Sequence, residues 1–386
     1  MSSVANKCSG TLFKEQKLPE WRRAVLKVGS SLLAADGTGL DPDYVLALSR
    51  FVAASHAAGR EVVIVSSGAV AAGRTIVSRQ PGLGNAMAER QALAALGQVR
   101  MIGLWQRLFE CPVAQVLLTH DDLRNRRRYL KARMTLLELL RVGALPVVNE
   151  NDTVSVDELR LGDNDNLAAI VAALCDADLL LIATDIDGLY TANPRVDAGA
   201  EPILQLTRFT RATMDMAGGA GSASGTGGMR TKLEAAIKAA NAGIETILFN
   251  GTNVETVGLL SENRLRGTRL RPTRKRLTAR KYWLRHVPLA PGAILIDGGA
   301  ARALKGKGAS LLPLGIVGAL GEFARGDMIE IICSSEGGER RIGRGLTQYS
   351  AVDIRRIAQR HTRDIESVLG YHYGESVVHR DDMVTG

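Results

Sequence analysis

Between residues 24 and 249 short runs rich in Val, Ile and Leu alternate with longer periodic segments, and this rhythm limits the chain to one kind of sheet. The runs lie at 24–28, 61–65, 113–117, 145–148, 178–183 and 246–249; helices are predicted over 42–58, 86–109, 129–141, 164–175 and 229–242. Pro42 suits a helix N-terminus, and Gly59, Gly143 and Gly243 suit helix stops. Strands separated by helices cannot pair as hairpins. They form a mainly parallel sheet sandwiched by helices, with ligands expected outside the carboxyl ends of the strands.

At 386 residues the chain exceeds what one compact core usually supports, so a second domain is expected. The alternation stops near residue 262. Ten basic residues and no acid then fall between Arg264 and Arg285, a run whose ordinary reading is a solvated linker. Beyond it, strand candidates at 293–296, 310–314, 328–333 and 341–345, broken by Gly and Pro, and a helix at 351–359 indicate a small β-rich pseudo-barrel. The expected organisation is a disordered tail over 1–22, an α/β domain over 23–262, a basic linker over 263–290, a β-rich domain over 291–372 and a C-terminal tail over 373–386.

At 46% hydrophobic and 23% charged residues, disorder is excluded. The longest uncharged apolar stretch, 167–175, is too short to span a bilayer, and the first twenty residues hold no hydrophobic block. The four cysteines lie far apart with no C-x-x-C pair, which fits a reduced cytoplasmic protein. A net charge of +9 suits nucleic acid, membrane surfaces and small acidic substrates alike.

Five loops after strands carry the chemistry. Lys27 precedes Gly29-Ser30-Ser31, a cation beside closely spaced amides, which outlines an anion site; on this loop alone a strand lysine reaching for solvent is an equal reading. Ser66-Ser67-Gly68-Ala69 offers hydroxyls and close backbone approach. The polar quartet Asn149-Glu150-Asn151-Asp152 suits a polar small molecule. Gly162-Asp163-Asn164-Asp165-Asn166 opens a helix with more polar groups than one cap requires. Finally, Thr184-Asp185 is paired with Gly225-Thr226-Gly227-Gly228-Met229-Arg230-Thr231-Lys232, a glycine-rich loop entering a helix with a lysine in its first turn, as a nucleotide phosphate requires. Neither a P-loop nor a dinucleotide fingerprint is present. The six histidines avoid all five loops, so no metal triad or Ser-His-Asp order can be drawn. Lysines, hydroxyls, glycines and acids together are equipment for phosphoryl transfer without a protein nucleophile.

V-L-K-V-G-S-S at 25–31, V-S-S-G-A-V-A-A-G at 65–73, N-E-N-D at 149–152, G-D-N-D-N at 162–166, T-D at 184–185, G-L-Y at 188–190 and G-T-G-G-M-R-T-K at 225–232 resemble the amino-acid kinase superfamily. The region 291–370, with G-A-S-L-L-P, F-A-R-G-D and G-R-G-L-T-Q-Y-S, resembles the PUA domain. Their combination resembles the members that make L-glutamyl 5-phosphate from ATP and L-glutamate, the first step of proline biosynthesis. The resemblance implies ATP as co-substrate with Mg2+ bridging its phosphates, Lys27 and Lys232 gripping those phosphates and Asp165 orienting the two lysines. It further implies that Ser67, Gly68, Asp152 and Asn164 contact glutamate. ATP would be held by Thr184, Asp185, Thr226, Gly227, Gly228, Met229, Arg230, Thr231 and Lys232. Arg160 stands just before G-D-N-D-N where some members carry a lysine. The resemblance alone, and no residue here, implies a homo-oligomer and proline as feedback inhibitor. RNA binding, raised by the PUA-like region and the basic run, is the weaker rival; a sister kinase acting on acetylglutamate, aspartate or carbamate is the rival within the enzyme class.

Overall fold

A computed structural model describes residues 13–33, 42–77, 86–154, 164–194, 196, 197, 199–216, 228–272, 289–335 and 338–385. The chain divides into two compact units, Met1–Ala279 and Arg280–Gly386.

In chain order the first unit contains β1 (Gln16–Lys17), β2 (Arg23–Val28), α1 (Ser30–Leu33), α2 (Pro42–Ala57), β3 (Glu61–Ser66), α3 (Ala69–Val77), α4 (Met87–Arg107), β4 (Val113–Leu118), α5 (His120–Arg124), α6 (Arg126–Arg141), β5 (Leu145–Glu150), α7 (Asn164–Leu174), β6 (Leu179–Thr184), β7 (Gln205–Leu206), α8 (Arg211–Met216), α9 (Met229–Asn241), β8 (Glu245–Asn250), α10 (Val254–Ser261), β9 (Arg264–Leu265) and β10 (Thr268–Leu270). The main sheet runs β4-β5-β3-β2-β6-β8-β10-β7, parallel except where β10 meets β8. The expected parallel sheet with helical crossovers is what forms. Strand β2 lies between β3 and β6 and is buried along its whole length, so both faces must be covered. Its even residues, Ala24, Leu26 and Val28, join a core with Val62, Ile64, Leu181, Phe249 and, from α4, Trp105. Its odd residues face the opposite layer.

Helices α3 and α4 cross through glycine. A Cβ on Gly97 would stand 1.8 Å from the Ala69 carbonyl oxygen, and one on Gly73 would stand 2.0 Å from that of Leu93. Backbone-to-backbone contact therefore seats α4 against the segment that follows β3. From this seat Gln98, Met101 and Trp105, which share one helix face, lean toward the carboxyl ends of β3 and β5.

Three expected boundaries need correction. The tail expected over 1–22 is ordered where it is described: β1 pairs with β9, and Phe13, Leu18 and Trp21 are buried. Interleaved Lys14, Glu15 and Lys17 disguised those apolar anchors as a polar segment. The linker expected over 263–290 begins inside the first unit, because β9 and β10 are paired strands and Arg264, Arg266 and Arg269 ion-pair with Glu15, Glu262, Glu255 and Glu245. A charge run read alone looks solvated; its acidic partners lie outside the run, and Glu15 is about 250 residues away in sequence. Residues 273–288 lie outside the described residues.

The second unit contains β11 (Gly292–Ile296), α11 (Gly298–Lys307), β12 (Ile316–Gly321), β13 (Met328–Ser335), β14 (Gly338–Thr347), α12 (Ala351–Ile357), α13 (Ile365–Leu369) and β15 (Val378–Thr385). Its sheet runs β12-β11-β13-β14-β15 over a core that includes Ile294, Ile329, Ile342, Tyr349 and Ile354. The tail expected over 373–386 instead supplies β15, which pairs with β14; the pair His379-Arg380 and the acids that follow masked the buried Val378 and Met383. The strand expected over 310–314 is displaced: Pro313 starts a single turn, and the strand begins at Ile316.

The two glycines at 97 and 103 of α4 should respond oppositely to substitution. Gly97→Ala forces overlap with backbone and is expected to cost about 1–3 kcal/mol or more, as overpacking does. Gly103→Ala meets nothing within 4 Å and should stabilise by about 0.5–1 kcal/mol. Urea midpoints of the two variants check the sign of each.

Candidate active site

Strand alternation turns Lys27 away from the core that holds Leu26 and Val28, toward the layer containing α7. Asp165 lies in the first turn of α7, and Lys232 in the first turn of α9. These three meet: Lys27 Nζ is 2.6 Å from Asp165 Oδ1 and Lys232 Nζ is 3.2 Å from Asp165 Oδ2. The Asp165 side chain is 0% exposed and both lysines are under a tenth exposed. Thr231 Oγ1 adds a hydrogen bond to Asp165 Oδ2 at 3.1 Å and another to the Gly228 carbonyl at 2.9 Å.

Charge decides what this cluster can do. One carboxylate stands between two ammonium groups, all three buried at the carboxyl end of a sheet. Burial pushes the Asp165 carboxyl upward; the charges of Lys27 and Lys232 outweigh that and hold it below the ordinary aspartate range. The carboxylate therefore stays ionised and keeps both ammonium groups within reach of one place.

A second polar group lies beside it. Asn164, just ahead of Asp165, shares the two hydrogens of Nδ2 among three acceptors, Ser67 Oγ at 2.7 Å, Asn149 Oδ1 at 2.9 Å and the Ser66 carbonyl at 3.2 Å. Asn149 Nδ2 donates to Gln98 Oε1 at 3.0 Å. Beneath Ser67, Trp105 Nε1 donates to Ser66 Oγ at 3.1 Å, which anchors the end of β3. Gly68 adopts φ 101°, a left-handed conformation that favours glycine, and its carbonyl accepts from Ala72 N–H at 2.9 Å as α3 begins. Asp152 sits in the turn after β5 and is half-buried.

On the far side, Thr184 ends β6 buried, its Oγ1 donating to Asp185 Oδ1 at 3.2 Å, while Asp185 is exposed. Gly251 N–H donates to the Thr184 carbonyl at 2.8 Å, and Asn250 Nδ2 donates to Asp187 Oδ1 at 2.8 Å, joining the ends of β6 and β8. Gly228 caps α9, Met229 is half-buried, and Arg230 is exposed and paired with Glu234 at 3.1 Å. Thr226, Gly227 and Arg160 lie outside the described residues. Thus Lys27, Lys232, Asp165 and Thr231 form one cluster, and Ser67 and Asn164 an adjacent one, whereas Arg230 turns to its own helix. Sequence reasoning passed over Gln98, Asn250 and Asp187. Only the polar Gln98 within an apolar helix face offered a signal.

No group of three or more His, Cys, Asp or Glu that could hold a metal exists among the described residues. The buried Asp165 is already enclosed by two cations.

Residues 22–250 match the model of the amino acid kinase family. The chain belongs to that family. Residues 292–369 match the PUA domain, the extent of the second sheet up to β15. Among relatives, a glutamate 5-kinase from Xanthomonas oryzae pv. oryzae is 68% identical over 360 residues, covering 93% of this chain and 99% of the relative. A glutamate 5-kinase from Xylella fastidiosa is 64% identical over 373 residues, covering 96% and 97%. The solved carbamate kinase from Giardia lamblia bound to AMP-PNP covers 68% of this chain and 99% of that one, with 15% identity and a TM-score of 0.48. Within this amino acid kinase domain, the Lys27–Asp165–Lys232 cluster occupies the carboxyl ends of the central strands, where an open α/β sheet presents its ligand crevice.

Asp165→Asn removes the carboxylate that both buried lysines share and is expected to cost about 3–5 kcal/mol at neutral pH. Because the Asp165 carboxyl is held low in the folded state, its contribution is complete above the unfolded value of about 3.9 and is lost as pH falls through the folded value. Urea unfolding of both proteins from pH 7 downward should show the gap between them narrowing in acid. A gap that widens in acid would contradict the assignment.

Proposed function

We propose that this chain transfers the γ-phosphoryl group of ATP to the side-chain carboxylate of L-glutamate, forming L-glutamyl 5-phosphate and ADP, the first step of proline biosynthesis. The observation that carries the reading is the buried pair of lysines converging on Asp165, next to the Ser67–Asn164 cluster. The relatives at 64–68% identity, named glutamate 5-kinase, support the same acceptor.

The nucleophile is the acceptor's own carboxylate, ionised at neutral pH with an unperturbed pKa of about 4.3, so no general base is required. One oxygen forms a bond to the γ-phosphorus as the bond from that phosphorus to the bridging oxygen breaks, and ADP leaves. The obstacle is electrostatic. Two unit anions about 4 Å apart repel by about 4 kcal/mol at an effective dielectric of about 20, and the triphosphate carries several. Lys27 and Lys232 offset that repulsion, and because Asp165 holds both in place beforehand, little reorganisation accompanies the transfer. Mg2+, carried in with ATP, would add to the charge compensation that Lys27 and Lys232 supply.

Backbone amides at Gly29 and Gly68 and the Ser67 hydroxyl bind oxygens of the acceptor and the transferring group, while Thr184, Asp185 and the segment Thr226–Lys232 hold the nucleotide. Asp152, after β5, accepts the ammonium of a free amino acid, which separates it from an N-acylated one. The cysteines fit a reducing cytoplasm: burial pushes the Cys175 thiol up to about 12, and Cys111 and Cys333 are also unbridged.

Release of ADP from MgATP that depends on L-glutamate, with hydroxylamine trapping the acyl phosphate, tests the reaction; acetylglutamate, aspartate or carbamate supporting equal release would overturn the acceptor assignment. Lys27→Ala and Lys232→Ala should each lower turnover at least about a hundredfold, the scale of one lost transition-state contact. Asp152→Asn is expected to raise the glutamate KM far more than the ATP KM in steady-state kinetics.

A further inference from the structure

Gln98 is an anomaly in the packing. It lies on α4 with 7% exposure, and its Nε2 is buried with no hydrogen-bond partner among the described residues, a costly arrangement that an apolar side chain would avoid. Its other amide atom joins a run of three side-chain amides, Gln98, Asn149 and Asn164, that ends at Ser67.

The polarity of this run follows from the backbone groups at its ends. The Glu150 backbone N–H lies 2.9 Å from the Asn149 side chain and can only donate, so the Asn149 atom facing it is Oδ1. The Ser66 carbonyl lies 3.2 Å from Asn164 and can only accept, so the Asn164 atom facing it is Nδ2. Asn149 therefore presents its NH2 to Gln98, whose Oε1 accepts at 3.0 Å. This orientation leaves Gln98 Nε2 without a partner. A reversed Asn149 amide would set its NH2 against both the Glu150 N–H and the Asn164 NH2, donor against donor.

The consequence reaches the acceptor pocket. Asn164 Nδ2 donates to Ser67 Oγ at 2.7 Å, so the Ser67 hydroxyl, having accepted, has its own hydrogen to donate elsewhere. Asn164 Oδ1 carries no hydrogen bond among the described residues and is available as an acceptor. The pair thus offers a donor for a carboxylate and an acceptor for an ammonium, the two signs of an amino-acid zwitterion.

We propose that Gln98 is a positioning residue for the amino-acid acceptor, acting through Asn149 and Asn164 to fix which atoms of Ser67 and Asn164 face it; the inference rests on the functional reading above. Gln98 touches neither Ser67 nor Lys27, Asp165 and Lys232 by hydrogen bond, so its effect separates from charge compensation on the nucleotide.

The test is steady-state kinetics of the full chain with MgATP and L-glutamate on Gln98→Met, Gln98→Glu, Ser67→Ala and the double variant Gln98→Met with Ser67→Ala, each with a thermal melt. Gln98→Met should raise the glutamate KM about ten- to a hundredfold, the range for one hydrogen bond to a charged group, with the ATP KM and melting temperature held. Gln98→Glu keeps an oxygen opposite Asn149 Nδ2 and should recover most of that loss. If the effect runs through Ser67, the double variant resembles Ser67→Ala alone rather than the product of the two. A folded Gln98→Met protein with unchanged glutamate KM, equal rises in both KM values, or multiplicative effects in the double variant would each overturn the proposal. Absence of glutamate-dependent ADP release in the unmodified protein would instead remove the functional reading and this inference with it.

Discussion

A carboxylate with no solvent exposure, held between two lysines from remote parts of the chain, is the constraint around which the first unit is arranged. Burying three charges is costly unless each is paired, and the geometry must be good for the attraction to offset desolvation. That requirement explains why the contributing elements are so rigid. Lys27 comes from a strand buried on both faces and paired on both edges, and Asp165 and Lys232 each come from the first turn of a helix packed into the same layer. Loops would not hold such a cluster to a few tenths of an ångström; a central strand and two helix ends do.

The second polar cluster depends on a different device, steric rather than electrostatic. Gly73 and Gly97 let α3 and α4 touch through backbone, and the close approach brings Gln98, Met101 and Trp105 under the ends of β3 and β5. Charge compensation and amide orientation are therefore supplied by opposite layers of the sheet, α7 and α9 on one side and α4 on the other. They meet at Asn164, which shares amide contacts with Asn149 and Ser67 and stands immediately before Asp165.

Much of this was legible in advance. The β-α rhythm identified the sheet, and the unusual polarity of five loops singled out Lys27, Ser67, Asn149, Asn164, Asp165 and Lys232, whose side chains the fold gathers at the strand ends. The boundaries were not legible. Glu15 makes the N-terminal segment look solvated until Arg264 and Arg266 are seen beside it, and the basic run looks like a linker until Glu245, Glu255 and Glu262 are seen opposite. Val378 and Met383 likewise lie within a charged segment whose apolar positions count only once β14 is alongside. Gln98 stood out only as a polar residue on an apolar helix face, a signal with no meaning until its partner Asn149 is known.

Local order thus determined the parallel α/β architecture, the separate β-rich region and the identity of Lys27, Asp165 and Lys232 as unusual residues, since strand and helix periods are written into neighbouring positions. Tertiary structure alone decided how closely the two lysines meet one carboxylate, that Arg264 and Arg266 pair with Glu15, and that the Asn149 amide meets Gln98. Each of these is a relation between groups far apart along the chain, and electrostatic and hydrogen-bond energies depend on distance in space, which sequence spacing does not encode.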